Sequence, residues 1–158
     1  LLGMVIHKLT GMKVADYFSE NVWKPIGAEY DAFWNVDHVG GQEKTFCCFN
    51  AAARDYARVG QMLLNPAGIK INSKEIISPM WMKRLTNPVT TLDHNWGYSA
   101  QVWHPFPGTT MLLGLHGQYV YTDPNYQVVI VKLSDEPTDN GNFEELTAAV
   151  LKEISEKN

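Results

Sequence analysis

MLLGLHGQYVYTDPNYQVVIVKL, residues 111–133, is dominated by aromatic, aliphatic and β-branched side chains. Its composition favours extended backbone over helix. Asp123-Pro124-Asn125 interrupts it with turn chemistry: Pro presets φ, and the flanking Asp and Asn bond to their own backbone. The expected structure is an antiparallel hairpin of two strands, Met111–Tyr121 and Tyr126–Leu133. Gly97–Trp103 reads as a further strand on the same grounds. One part of the first strand is unusual: Leu113-Gly114-Leu115-His116-Gly117-Gln118-Tyr119 places two glycines and a histidine inside an apolar run. Glycine weakens a strand unless a ligand or another backbone must come close, or the chain bends there. Two readings stay open: a strand edge offering a backbone N–H to a ligand oxyanion, or a bulge or tight bend.

Upstream of Trp96 the period is helical. Leu2, Val5, Ile6 and Leu9 fall on one face, and Thr10-Gly11 supplies a left-handed stop. Val14, Phe18 and Val22 repeat every fourth residue until Pro25, which forces its predecessor out of the α region. Residues 26–49 carry no clear period; Gly27, Gly40 and Gly41 punctuate them, and Phe33, Trp34 and Phe46 give them apolar surface. Loops of that length are often functional. A helix is expected after Asn50, a candidate N-cap. Ala53, Tyr56, Ala57, Gly60, Leu63 and Leu64 form its apolar face, Arg54, Asp55 and Arg58 its polar side, and Asn65-Pro66 its end. A short helix over Ser78–Leu85 has Pro79 in its first turn. Downstream of the strands, Phe143, Leu146, Ala149, Val150 and Ile154 share a face over Asn142–Ser155. Helices, then strands, then a helix predict an α+β fold with an antiparallel sheet flanked by helices. Residues 1–158 form one segment: 1–95 mainly helical with the long loop at 26–49, and 96–158 antiparallel strands plus a C-terminal helix.

The 158 residues are 45% hydrophobic and 19% charged, which is ordinary globular composition. A net charge of −4 with no Lys/Arg stripe leaves no electrostatic footprint for nucleic acid. No apolar run nears the roughly 18 residues of a membrane span. The many aromatic rings are expected to pack a core, with a cleft wall as the alternative. The only two cysteines are adjacent, Cys47 and Cys48. Ring closure between neighbours strains the peptide joining them, so both are expected to be free, small and buried; they do not fix the redox compartment. The chain opens with Leu1-Leu2-Gly3-Met4, inside an apolar periodic segment and without the features of a signal peptide. That start leads us to expect a truncated or processed chain.

Self-sufficient catalytic motifs are missing from the sequence. It holds no GxSxG elbow and no Ser followed three residues later by Lys, no P-loop and no GxGxxG. The five histidines, at 7, 38, 94, 104 and 116, show no HExxH spacing, and no Cys/His zinc pattern exists. No metal or cofactor is expected. Asp37-His38 reads as a solvated loop pair rather than a catalytic one. Arg54, Asp55 and Arg58 read as a cluster that pins a loop.

Several segments together resemble one family. Leu1-Leu2-Gly3, Leu9-Thr10-Gly11, Tyr17 and Trp23-Lys24-Pro25-Ile26-Gly27 resemble the helix pair that follows the Tyr-x-Asn motif in class C β-lactamase-like enzymes. Asp31-Ala32-x-Trp34-x-x-Asp37 resembles a loop of the 6-aminohexanoate-dimer hydrolase branch. Residues 50–60, NAAARDYARVG, are similar to that branch's ATxRDxARxG helix, and Gly114 to Pro124 to its terminal strand signature. The similarity runs from residue 1 to about residue 150, in the family's order and spacing. It implies the β-lactamase/penicillin-binding-protein superfamily, of which this would be the C-terminal portion. It also implies acyl-transfer chemistry: a Ser nucleophile in SxxK, a Lys and a Tyr handling protons, and an acyl-enzyme that water hydrolyses. Backbone N–H groups from the nucleophile and from the strand of the Lys-Thr-Gly motif would hold the oxyanion.

In that family the SxxK and Tyr motifs lie upstream of residue 1, so this segment alone is expected to be inactive. Tyr17-Phe18-Ser19 fits Tyr-x-Ser formally but falls mid-helix and is rejected. Leu112-Leu113-Gly114 takes the Lys-Thr-Gly position, making the Leu115 N–H the oxyanion donor and Leu113 a substrate contact. A shifted register would use His116-Gly117 instead, with the Gln118 N–H as donor. The missing Lys removes the partner of a β-lactam carboxylate and favours a small amide or ester substrate. Asp31 and Trp34 would border the cleft. Rival readings are a non-catalytic module of the same fold and a D-Ala-D-Ala peptidase. Expected partners are the small substrate and the missing N-terminal half, with self-association through an unpaired sheet edge. No nucleic acid and no membrane span are expected, and the compartment stays undefined.

Overall fold

The computed structural model describes residues 1–65, 67, 69–71, 74–135 and 141–157. The chain forms two compact units, Leu1–Asp55 and Tyr56–Asn158. In the first, helix α1 (Leu2–Thr10) ends where Gly11 takes φ 70° and gives its N–H to the His7 carbonyl at 2.8 Å. Helix α2 (Val14–Phe18) continues as a wider π-type turn over Ser19–Trp23, ahead of Pro25. Two short antiparallel strands follow, β1 (Phe33–Trp34) and β2 (Phe49–Asn50), with Trp34 opposite Phe49. Their rings supply this unit's apolar centre: Phe49 lies 4.7 Å from Trp34, 5.3 Å from Trp23 and 5.5 Å from Phe18. The Trp23 indole N–H finds the Tyr30 carbonyl at 2.9 Å, so the buried ring leaves no polar atom stranded.

Asp55 is fully buried, and its carboxylate accepts the Glu29 and Tyr30 N–H groups at 2.8 and 3.1 Å. This agrees with the expected loop-pinning role. Buried charge is tolerable only when bonded, and here backbone donors meet it. Asp37 does similar work on the surface, where its Oδ1 accepts from Gln42 and His38 N–H groups, both at 2.9 Å. Those bonds, Gln42's first, hold its carboxyl below the ordinary value.

In the second unit, helix α3 (Ala53–Leu63), which starts before the boundary, is followed by the hairpin β3 (Ile69–Ile71) and β4 (Lys74–Ile77). Helix α4 (Pro79–Thr86) is capped by the Ser78 hydroxyl, which accepts from the Trp81 N–H at 3.3 Å, with Pro79 in the first turn. Then comes a six-stranded antiparallel meander: β5 (Thr90–Thr91), β6 (Gly97–Ser99), β7 (Val102–His104), β8 (Thr110–Gly114), β9 (Gln118–Asp123) and β10 (Val128–Lys132). Helix α5 (Gly141–Glu156) closes the chain. Met111, Tyr119 and Tyr121 pack against Ala148 and Leu151 of α5, joined by Leu113, Trp103 and Ile130. The opposite face carries Val120 and Val129, against which α3 sets Gly60, where an added Cβ would meet Val129 Cγ1 at 2.5 Å. The sheet is thus covered on both faces, as the unbroken burial of β9 from Tyr119 to Asp123 requires of a strand whose side chains point to alternate faces.

The α+β class, the antiparallel sheet, the β9–β10 hairpin and the closing helix agree with the sequence. Four expectations are corrected. Met111–Tyr121 is not one strand: it splits into β8 and β9 with a turn at 115–117. Asn50 does not cap α3; it lies in β2, and its side-chain amide donates to Phe33, Asn35 and Cys48 oxygens, at 3.3, 3.1 and 2.9 Å. Cys47 and Cys48 are disulfide-bonded to each other, half-buried and exposed respectively, not free and buried. The chain accommodates the small ring by placing Cys48 in the left-handed region, at φ 65°. Gly97–Trp103 is likewise not one strand: it splits into β6 and β7 with a turn at 100–101. Pro66, expected to end α3, lies outside the described residues, as does the side chain of Phe143.

Candidate functional site

The β8–β9 hairpin is built from cross-strand pairs that run from Thr110↔Thr122 to Gly114↔Gln118. Leu115, His116 and Gly117 make the connection, and the last two have φ 63° and 75°. Two successive positive φ values match the twist of the flanking strands. Glycine adopts them without penalty; histidine does so at some cost. So the glycine-interrupted run is a tight bend, one of the two readings its sequence left open. Leu115 is 67% exposed at the tip, Gly114, His116 and Gln118 are exposed beside it, and Leu113 turns back to the core.

Gly117 is buried although it lies in a turn. Lys132 explains this. It sits opposite Tyr119 on β10, places its ammonium 5.5 Å from the centre of the Tyr119 ring, and donates from Nζ to the Gly117 carbonyl at 2.8 Å. A Cβ on Gly117 would meet that nitrogen at 3.1 Å. The sequence does not single out Lys132, because strand register alone brings residue 132 to residue 117. Chemically the bend offers exposed backbone beside a fixed cation, an arrangement suited to an anionic or oxyanionic group. Asp31 and Trp34 belong to the other compact unit; Asp31 is exposed, and Trp34 is half-buried with its ring on Phe18 and Phe49. Among the described residues no group of His, Cys, Asp or Glu side chains could hold a metal ion, and no helix is long and apolar enough to cross a membrane.

Two further polar clusters lie in the second unit. Ser99 Oγ stands 2.8 Å from His104 Nε2, and His104 Nδ1 stands 3.0 Å from the Thr109 carbonyl. This is a Ser–His contact of the kind used for nucleophilic catalysis. Here it is structural: Ser99 and His104 are 2% and 6% exposed, and the Ser99 hydroxyl is also 2.8 Å from the Leu85 carbonyl. Burial drives the His104 pKa below its usual value, against a smaller opposing effect of the Thr109 carbonyl, which favours the neutral ring. The second cluster joins His94 to α5, with Nε2 at 3.0 Å from Glu144 and Nδ1 at 3.1 Å from Glu145. Burial works to lower the His94 pKa, but the two carboxylates outweigh it and the net shift is upward.

Comparison with known proteins places this architecture. A curated 6-aminohexanoate-dimer hydrolase from Paenarthrobacter ureafaciens is 27% identical over 98% of this chain, which spans 42% of that protein. A solved structure from Bacillus anthracis, described provisionally as a 6-aminohexanoate-dimer hydrolase, superposes with a TM-score of 0.83 at 29% identity, over 98% of this chain and 41% of its own. A penicillin-binding protein homologue from Caulobacter crescentus shares the fold at a TM-score of 0.64 and 13% identity, over 85% of this chain and 50% of its own. The chain therefore spans about two fifths of the hydrolases it resembles. Over residues 1–153 it also matches the Beta-lactamase family model, nearly its whole length, and the chain belongs to that family.

Proposed function

We propose that this chain is part of a serine hydrolase that cleaves small amides or esters through an acyl-enzyme, and that it supplies the Leu115 backbone N–H to the oxyanion. The observation that carries the reading is the bend at 115–117, which presents Leu115 immediately after the last β8 pair and is tied to β10 by the bond from Lys132 to the Gly117 carbonyl. An oxyanion donor must be aimed before the charge develops, and a backbone N–H on a closed hairpin is aimed at no cost during the reaction. Gly114 and Gly117 let the chain approach and turn, while His116 and Gln118 flank the same spot. Leu112, standing where a Lys-Thr-Gly motif would begin, offers no cation for a β-lactam carboxylate. The nucleophile and its base would come from the remainder of the parent protein.

The test uses the full-length parent protein with a fluorophosphonate probe and a chromogenic ester. Covalent labelling of a serine outside this chain and turnover of the ester are the expected results. Leu115→Pro removes the N–H and should lower the rate by about 10²–10³ while the circular dichroism spectrum is kept; Leu115→Ala, which retains the N–H, should lose far less. A full-length protein that neither labels nor turns over would transfer the reading to a non-catalytic module. Activity confined to D-Ala-D-Ala peptides would identify a peptidase instead.

A further inference from the structure

The loop that leads into β2 carries chemistry the hydrolase reading does not use. Lys44-Thr45-Phe46-Cys47-Cys48 ends in a disulfide between Cys47 and Cys48, residues adjacent in sequence, which closes a small ring of those two residues alone. Cys48 holds φ 65°, a left-handed conformation that an ordinary L-residue enters at a cost. It does so while anchoring its neighbours. The Cys48 carbonyl accepts the Asn35 N–H at 3.1 Å and the Asn50 side-chain amide at 2.9 Å. The Asn35 carbonyl in turn accepts the Lys44 N–H at 2.9 Å. The ring, the left-handed residue and the β1–β2 ribbon are therefore one hydrogen-bonded unit, which sets Trp34 against Phe49. Cys48 is exposed and Cys47 half-buried, so a reagent in solvent reaches Cys48.

We propose that Cys47–Cys48 is a thiol–disulfide exchange site whose partner is a dithiol reductant, and that the state of this pair sets the order of residues 33–50. A thiolate of the dithiol attacks Cys48 Sγ. A mixed disulfide forms as the Cys47–Cys48 bond breaks, and the electron pair leaves on Cys47 Sγ, which takes a proton. The second thiol of the reductant then attacks its own sulfur in the mixed disulfide. That forms the reductant's internal disulfide and releases Cys48, which is protonated; the dithiol thus provides both the electrons and the protons. Once the ring is open, nothing covalent holds Cys48 left-handed. Its carbonyl swings away from Asn35 and Asn50 as the residue relaxes toward ordinary backbone. Reoxidation by a disulfide of the same class reverses the change.

The experiment takes the full-length parent protein without substitution. Under native conditions an alkylating reagent should label neither cysteine. After treatment with dithiothreitol it should label both, and the unlabelled mass should rise by two hydrogens. Hydrogen–deuterium exchange should then accelerate over residues 33–50 by about tenfold or more, the scale set by losing a left-handed constraint, while β8–β10 keeps its protection. Reoxidation should restore the slow exchange. Two results overturn the proposal: cysteines that alkylate without reductant, and exchange over 33–50 that is the same in both states. A paired variant separates the ring from the backbone it imposes. Cys47→Ser/Cys48→Ser should exchange like the reduced protein; Cys47→Ser/Cys48→Gly, in which glycine occupies φ 65° freely, should recover part of the protection. If either variant fails to fold, the reduction of the unaltered protein still decides.

Discussion

His94 shows how one side chain ties a turn to a helix. It sits at φ 59°, is 17% exposed at its side chain, and spans Glu144 and Glu145 on the first turns of α5. An imidazolium can donate to both carboxylates; a neutral ring has one N–H and can serve only one. The folded state therefore raises the His94 pKa above its unfolded value. The stabilisation is complete below about pH 6.5, the unfolded value, and is lost as pH rises through the higher folded pKa. His104 works in the other direction. Its folded pKa is depressed, so its contribution is present above the unfolded value and lost as pH falls through the folded one. Thermal unfolding between pH 5 and 9 should show this difference: His94→Asn, which keeps a residue tolerant of left-handed backbone, should lower Tm at pH 5.5 and change it little at pH 9. An equal loss of Tm at both ends would dismiss the imidazolium bridge. Neither histidine's role was legible in the sequence, since each depends on partners fixed by tertiary structure: Glu144 and Glu145 some fifty residues on for His94, and a buried hydroxyl and carbonyl for His104.

At the level of elements, Gly60 decides how closely α3 approaches the sheet. A Cβ there would meet Val129 Cγ1 at 2.5 Å and Val120 Cγ1 at 2.9 Å. Alanine normally favours a helix over glycine by about 1 kcal/mol, but overpacking costs about 1–3 kcal/mol. Gly60→Ala should therefore destabilise in chemical denaturation, and Val129→Ala in the same chain should restore part of the loss. A stabilised Gly60→Ala protein would show that the helix can back away. The helices were readable because their periods are long and their stops explicit: Gly11 ends α1, Pro25 ends the α2 segment, and Ser78-Pro79 opens α4. The short pairings were not. β1 and β2 are two residues each, too short for alternation to register, and β3–β4 falls where no turn motif marked it. The site was legible in part. Gly114 and Gly117 marked the bend and the family resemblance attached a role to Leu115, but Lys132 became visible only through the pairing of β10 with β9.

For the whole molecule, two apolar features lack cover among the described residues. α1 exposes Leu2, Val5 and Leu9, and β10 is paired along one side only, with β9. An open, apolar strand edge recruits another chain. The matched hydrolases are more than twice as long as this chain. We therefore expect the isolated 158-residue chain to self-associate, and the separately produced remainder of its parent to displace that contact and form a one-to-one complex. Size-exclusion chromatography with light scattering reads both states; a clean monomer that ignores the added partner would sink this expectation.

The order of the sheet has a consequence in time as well as in space. From β5 to β10 every neighbour in the sheet is also the neighbour in sequence. Each pairing then closes a short loop, and the entropy lost at each step is small. Such a sheet has low contact order for a β structure and belongs at the faster end of that class. It can zip hairpin by hairpin, without waiting for distant chain to arrive. A strand added along the outer side of β10 from elsewhere would be the slow event, the late docking onto an edge already in place.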